Sequence, residues 1–301
     1  MTSKPRSEYT IGVMLLIVAA ITYSTAGIFT KGVIAGAWAV IFWRGLFAAA
    51  FTTAWTIRHG TFRHNFFNMG RSGWAVGIVG ALGTAAFIPA FKLTSIANVA
   101  LIYAIAPLIA AVLAWFAMGE RLTVRTLLGS ICALFGVVII VSGSVGQISI
   151  QGDTLALIMT VAMATIMVIY RKYPKTPGAG PSVLQSLLLL PPSFVLGAPF
   201  QTESFEILVL AAFGLLFAIA SVTLAEGAKR VPPGQAALLS ALETPLAPIL
   251  AFLVFAEVPG TATFLGGSMV LIAVLFSIRN DAEKVELTAI DGDEVVGENT
   301  L

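Results

Sequence analysis

Long apolar runs, hydrophobic on every side, dominate this chain. Stretches free of Asp, Glu, Lys and Arg cover 9–30, 72–91, 93–119, 126–152, 154–170, 176–202, 207–225 and 258–278. Two further runs, 32–57 and 231–256, hold one charge each, Arg44 and Glu243. Crossing a hydrocarbon layer takes about 20 helical residues. The pattern therefore predicts ten transmembrane helices. Membrane barrel strands are about ten residues long and alternate in polarity, which these runs do not. The first run is too long for a cleaved signal peptide and reads as the first span.

The charges between the runs predict which side each loop faces. Lys and Arg accumulate in cytoplasmic loops. With the N-terminus inside and ten alternating helices, the inner side receives Lys4, Arg6, Arg58, Arg63, Arg71, Arg121, Arg125, Arg171, Lys172, Lys175, Lys229, Arg230, Arg279 and Lys284. The outer side receives Lys31 and Lys92. A miscounted helix would scramble this bias, so it also supports the count. Both termini are expected in the cytoplasm of a multi-pass protein of the bacterial inner (plasma) membrane.

The chain also repeats itself. Residues 107–129 read PLIAAVLAWFAMGERLTVRTLLG, and residues 245–266 read PLAPILAFLVFAEVPGTATFLG. Pro107 falls on Pro245; after a one-residue gap Glu120 falls on Glu257 and Gly129 on Gly266. The first and sixth runs align at an offset near 140, with Leu15 opposite Leu155 and Lys31 opposite Arg171. Each half then has five helices, and an odd number inverts the second half relative to the first. Inverted repeats are a construction principle of secondary transporters. The predicted fold is all-α integral membrane: ten transmembrane helices as two inverted five-helix repeats around a central cavity. The expected divisions are a lead (1–8), a first repeat (9–142), a periplasmic linker (143–153), a second repeat (154–279) and an acidic cytoplasmic tail (280–301).

Composition agrees. Hydrophobic residues make up 58% and charged residues 11%, whereas a soluble domain carries roughly 25% charged residues. The formal net charge of +2 gives no basic field for nucleic acid. No phosphate-binding loop with a following Lys-Ser or Lys-Thr occurs, which argues against ATP-driven transport. His59 and His64 lie in a basic loop and read as solvated residues, not a metal pair. Cys132 is a single cysteine in an apolar run and reads as a small buried hydrophobe. No cofactor, metal or catalytic set is expected, so the chain is not read as an enzyme. Its expected partners are the lipid bilayer and a small-molecule substrate. Oligomeric state stays open.

The stretch ANVALIYAIAPLIAAVLAWFAMGERLTVRTLLGSICALFGVVIIV (97–141) resembles the EamA family of the drug/metabolite transporter superfamily. The features are a Pro midway along the fourth span, a Gly-Glu-Arg-Leu turn and a Gly-rich fifth span. FWRG (42–45) is similar to the family's arginine-bearing second span. AEVPG (256–260) departs, lacking an Arg after Glu257. The chain is also similar to bacterial amino-acid exporters of the aromatic amino acid/paraquat exporter group. The resemblance implies ten helices, inner-membrane location and outward movement of metabolites. It points to the first, third, fourth, sixth, eighth and ninth spans as cavity walls.

Glu243 is the sharpest single residue. A carboxylate inside a span is expensive and must face protein or water. It lines the cavity and binds a substrate ammonium or a proton, or it pairs with Arg44. Arg44 receives a substrate carboxylate or orders backbone carbonyls; the structural reading is favoured. Prolines inside spans (Pro89, Pro107, Pro191, Pro192, Pro245 and Pro248) remove helix hydrogen bonds. Pro107 and Pro245 occupy equivalent places and are the candidate gating positions. Tyr103 lies one turn from Pro107, and Ser240 one turn from Glu243. Tyr23, Ser24, Trp43, Thr84, Phe87, Asn98, Met163 and Ser221 complete the candidate substrate-binding set. Trp38, Trp55 and Trp74, near span ends, read as interfacial. Gly77, Gly80 and Gly83, and Gly129, Ala133 and Gly136, read as helix-packing stripes.

The leading function is a secondary exporter of amino acids or similar amphipathic metabolites. The alternatives are a sugar, nucleoside or cationic-drug carrier of the same superfamily, a membrane-embedded lipid enzyme, and a channel.

Overall fold

The computed structural model describes residues 4–94, 96–120, 123–142, 149–255 and 261–277. The expected acidic tail, most of the 143–153 linker and residues 256–260 with Glu257 lie outside the described residues.

The described residues are helical and contain no strand. In chain order the helices are α1 (Lys4–Ser24), α2 (Ala26–Lys31), α3 (Ala37–Arg58), α4 (Phe62–Phe66), α5 (Gly70–Leu93), α6 (Ile96–Tyr103), α7 (Ala106–Met118), α8 (Val124–Val141), α9 (Ile150–Lys172), α10 (Ala179–Gly197), α11 (Ser204–Ala228), α12 (Pro233–Ser240) and α13 (Glu243–Phe255). An additional apolar helix, Thr261–Ser277, is α14. Seven helical segments are long and apolar enough to cross a membrane: Ser7–Thr30, Ala37–Arg58, Gly70–Phe91, Asn98–Met118, Ile150–Lys172, Ala179–Gly197 and Ser204–Ala228. Val124–Ile140 and Thr261–Ser277 are shorter apolar helices. Large apolar side chains such as Leu82, Phe116, Phe135, Val195, Leu208 and Leu275 point outward. That outer surface suits lipid better than water.

The helix ends follow local chemistry. Gly119 closes α7 in the left-handed region (φ 71°), its N–H bonded to Trp115 O. A side chain there would be strained, which accounts for the glycine in the Gly-Glu-Arg-Leu turn. Thr123 caps α8 by accepting from Thr126 N–H, and Ser149 caps α9 by accepting from Gly152 N–H. Asp153 in the first turn of α9 and Arg171 and Lys172 in its last turn complement the helix dipole.

Two pairs of short helices share one plan. α6 has 8 residues and α7 has 13, separated by Ala104 and Ile105. α12 has 8 and α13 has 13, separated by Ala241 and Leu242. Both interruptions fall just before or beside the paired prolines, Pro107 and Pro245. A proline cannot donate to the preceding turn and clashes with it. These bounds set Ala106 opposite Glu243, one residue from the Ile105 that aligning the two prolines selects. The counterpart is apolar in either alignment.

The packing follows the same correspondence. α5 packs on α9 as α1 packs on α11, α3 on α11 as α10 on α5, and α6–α7 on α9 as α12–α13 on α1. α3 packs on α10, and α7 on α12. Closest approaches repeat too. Gly12 meets the end of α11 at Gly227 and Arg230, and Gly152, aligned with Gly12, meets the end of α5 at Leu93 and Thr94. On α8 and α14, Gly136 meets Gly266 O and Gly129 meets Ala273 O, so these helices run antiparallel. Thus Gly129 and Gly136 sit at a helix contact, as small residues allow.

Polar ties, local and between helices, gather at two ends of the bundle. At one end Glu120 pairs with Arg171 (3.1 Å), Glu8 with Arg230 (2.8 Å), and Glu226 with both Arg230 (3.0 Å) and Lys229. Ser72 meets Thr176 there (2.6 Å). At the other, Thr94 donates to Asp153 (2.7 Å), and Ile34 N–H donates to Glu206.

Candidate functional site

The interrupted helices bring their broken ends into the bundle interior. Tyr103 closes α6, Ser240 closes α12, and Glu243 opens α13. A helix start carries partial positive charge, which favours a carboxylate in the first turn. Glu243 is half-buried, yet no hydrogen bond or ion pair to it is formed among the described residues. Tyr23 near the end of α1 is in electrostatic range of both Glu243 and Arg44, and Tyr103 of both Glu243 and Tyr23. Tyr170 of α9 also feels Tyr23.

Arg44, from α3, is 4% exposed. Its guanidinium lies over the ring of Phe217, 4.0 Å from the centroid, and 5.4 Å from that of Phe213, both on α11. Phe217 in turn packs edge-on against Tyr23, centroids 6.1 Å apart. An aromatic face attracts a desolvated cation, so the rings hold the guanidinium without using its N–H groups. Arg44 Nε is sealed and has no hydrogen-bond partner. Arg44 forms no ion pair with Glu243 among the described residues, so the pairing considered from sequence is not the arrangement found.

Among the described residues, the hydroxyls of Tyr23, Tyr103 and Tyr170 also lack hydrogen-bond partners. None of them, nor the Glu243 carboxylate, is among the sealed polar atoms. Arg44, through its stack on Phe217, and Glu243 and Tyr103 at the helix breaks are thus each near Tyr23.

The remaining sequence candidates divide. Phe87 and Met163 pack on the central core, and Phe87 meets Phe91 edge-on. Thr84 is buried on α5. The Ser240 hydroxyl donates to Ala236 O, and that of Ser24 to Ile21 O, within their own helices. Asn98 is tied to Thr94 and Asp153 at one end of the bundle. Trp43 donates its indole N–H to Pro199 O beside Phe200. Ser221 shares a hydrogen bond with Ser182. These last three have structural partners, and the structure does not group them with Glu243. Trp55 and Trp74 are about half exposed, in keeping with an interfacial place.

Sequence reasoning missed Tyr170, buried in α9, and the arginine platform of Phe213 and Phe217. Tyr170 is the last residue of the charge-free run 154–170, beside Arg171, and nothing in the sequence singles it out. The two phenylalanines are one helical turn apart on α11, a spacing that signals a shared face, but nothing in the sequence aims that face at Arg44.

The chain resembles known proteins. The model of the EamA-like transporter family matches the chain twice, over residues 10–142 and 150–279. The chain belongs to this family of transporters. A solved structure titled "Crystal structure of protein" is 20% identical with a TM-score of 0.77, covering 91% of this chain and 98% of that chain. At that identity the likeness speaks for the fold alone. No curated protein matches the chain.

Proposed function

We propose that this chain is a secondary transporter that exports amino acids or similar amphipathic metabolites across the bacterial inner (plasma) membrane by alternating access. The observation that carries the reading is that the guanidinium of Arg44 and the carboxyl of Glu243, both inside the bundle and each near Tyr23, have no ion-pair partner among the described residues. A solute that is charged at one end and apolar at the other satisfies such a site better than a neutral sugar. The aromatic surroundings suit an apolar side chain, and membership of the aromatic amino acid/paraquat exporter group is part of the proposal.

In this reading ten spans form two inverted halves. The α1–α2, α6–α7 and α12–α13 pairs each act as one interrupted span, and α8 and α14 are the fifth and tenth. The repeated 8- and 13-residue helices and the exchanged contacts support that count. The end carrying Glu8, Arg171 and Arg230 is cytoplasmic, and both termini lie there. Binding sites at discontinuous helices between inverted repeats are a recurring transporter design. Pro107 and Pro245 are the hinges in this scheme.

A carrier of organic cations is the second reading, favoured by Glu243 beside two tyrosines and disfavoured by Arg44. Uptake into proteoliposomes of a panel of amino acids, sugars and quaternary amines, with and without a pH gradient, tests the choice. Amino acids should be taken up and sugars should not. Uptake of quaternary amines alone would select the second reading.

A further inference from the structure

No Asp or Glu occurs between Glu8 and Glu120, so the connection from α3 to α5 is basic with no acidic residue of its own. Arg58 ends α3, Arg63 lies on α4, and Arg71 stands in the first turn of α5. All three are exposed, as are His59 and His64. The Ser72 hydroxyl meets that of Thr176 at 2.6 Å, which brings the exposed Lys175 to the same face. None of these four cations forms an ion pair among the described residues. Elsewhere at this end carboxylates take up the cations: Arg171 pairs with Glu120, Arg230 with Glu8 and Glu226, and Lys229 with Glu226. Glu226 also reaches Gly178, but Lys229 and Arg230 already hold it. The usual excess of Lys and Arg in cytoplasmic loops is met by paired and unpaired cations alike. It does not account for one loop being left without carboxylates.

The same connection exposes aromatic rings. Trp55, in the last turn of α3, and Trp74, near the start of α5, are about half exposed, and Phe67 after α4 is 76% exposed. Trp55 packs on His59, ring centroids 4.8 Å apart, and Phe62 on Phe66 at 4.6 Å. An acidic peptide would answer the cations and leave the rings in water. The edge of a bilayer answers both: acyl chains and glycerol take the rings, and lipid phosphates take the guanidinium forks. We propose that Arg58, Arg63, Arg71 and Lys175 form a docking surface for the headgroups of net-anionic phospholipids, with Trp55, Trp74 and Phe67 against the same lipids. This goes beyond the transport reading and needs only that the chain sits in a bilayer.

Trp55 and Trp74 report on the surface, because a brominated lipid quenches only the tryptophans it touches. The purified full-length chain is reconstituted in equal mixtures of phosphatidylglycerol and phosphatidylcholine, with bromine on one lipid or the other. Quenching should correspond to at least about fivefold enrichment of phosphatidylglycerol, the effect of one cation near an anionic headgroup. Replacing Trp55 and Trp74 together by Phe should remove the excess quenching, which locates it. Arg58→Gln, Arg63→Gln and Arg71→Gln together should also remove it with both tryptophans in place. Arg125→Gln, at an exposed position near the start of α8, should leave it unchanged. Equal quenching by the two lipids in wild type overturns the inference, even if no variant folds. So does an excess that Arg125→Gln abolishes as fully as the triple change, which would mark a general field and not this surface. An excess that appears only after residues 281–301 are removed would give the surface to the acidic tail of the chain and overturns it too.

Discussion

Gly136 of α8 and Gly266 of α14 meet backbone to backbone, with Gly266 O only 2.6 Å from where a methyl group on Gly136 would sit. The mirrored contact places Gly129 against Ala273 O. Side chains added at such a contact force helices apart, at about 1–3 kcal/mol in a packed core. Gly266→Ala should therefore lower the melting temperature in detergent by several degrees. Gly36→Ala, where nothing lies within 4 Å, should change it little. Equal melting of the two variants would contradict the close packing.

Glu243→Gln should transport poorly. The variant keeps the shape of the side chain and removes its negative charge. With expression and melting temperature normal, flux should fall at least about tenfold at every pH, the effect of one lost charge-assisted bond. Undiminished flux at all pH values would remove Glu243 from the site.

Asp153 should behave as a scaffold residue. It accepts from Thr94 and Asn98 and ties the start of α9 to α5 and α6. Asp153→Ala should cost about 1–2 kcal/mol of stability, read as a lower melting temperature, while the ratio of phenylalanine to phenethylamine binding stays that of wild type. A changed ratio with unchanged melting would assign Asp153 to the substrate site.

Side-chain labelling tests the inverted topology. With Cys132, the single cysteine, replaced by Ser, single cysteines at Gln151 and Lys175 mark opposite ends of α9. That helix has 23 residues, and about 20 suffice to cross the hydrocarbon. A membrane-impermeant thiol reagent on intact cells should label position 151 and spare 175. Labelling of both from the same side would end the two-half account.

The seven candidate spans were legible because lipid leaves a strong trace: long apolar runs with at most one charge have few other uses. The breaks were half legible. Pro107 and Pro245 marked the two interrupted helices, but the shared 8- and 13-residue plan needed coordinates, since a proline alone leaves the start of the new helix open by a turn. The site was the least legible. Glu243 and Arg44 stood out because charges are rare inside spans. Their separation did not, because reach across a bundle depends on helix rotation, which an all-apolar run leaves undetermined. Asn98, Trp43 and Ser221 were chosen as polar or aromatic residues in spans. Neighbours settled each one elsewhere: Asp153, Pro199 and Ser182 satisfy polar groups that would otherwise be costly in lipid.

The most direct test of the account is counterflow in proteoliposomes. Vesicles containing the protein are loaded with unlabelled L-phenylalanine and diluted into a trace of labelled phenylalanine. A carrier whose two halves alternate around one site should accumulate label transiently above equilibrium, and Glu243→Gln should abolish the overshoot. Uptake that only relaxes to equilibrium, at the same rate in loaded and empty vesicles, would mean an open pore or no binding step, and the account would be wrong.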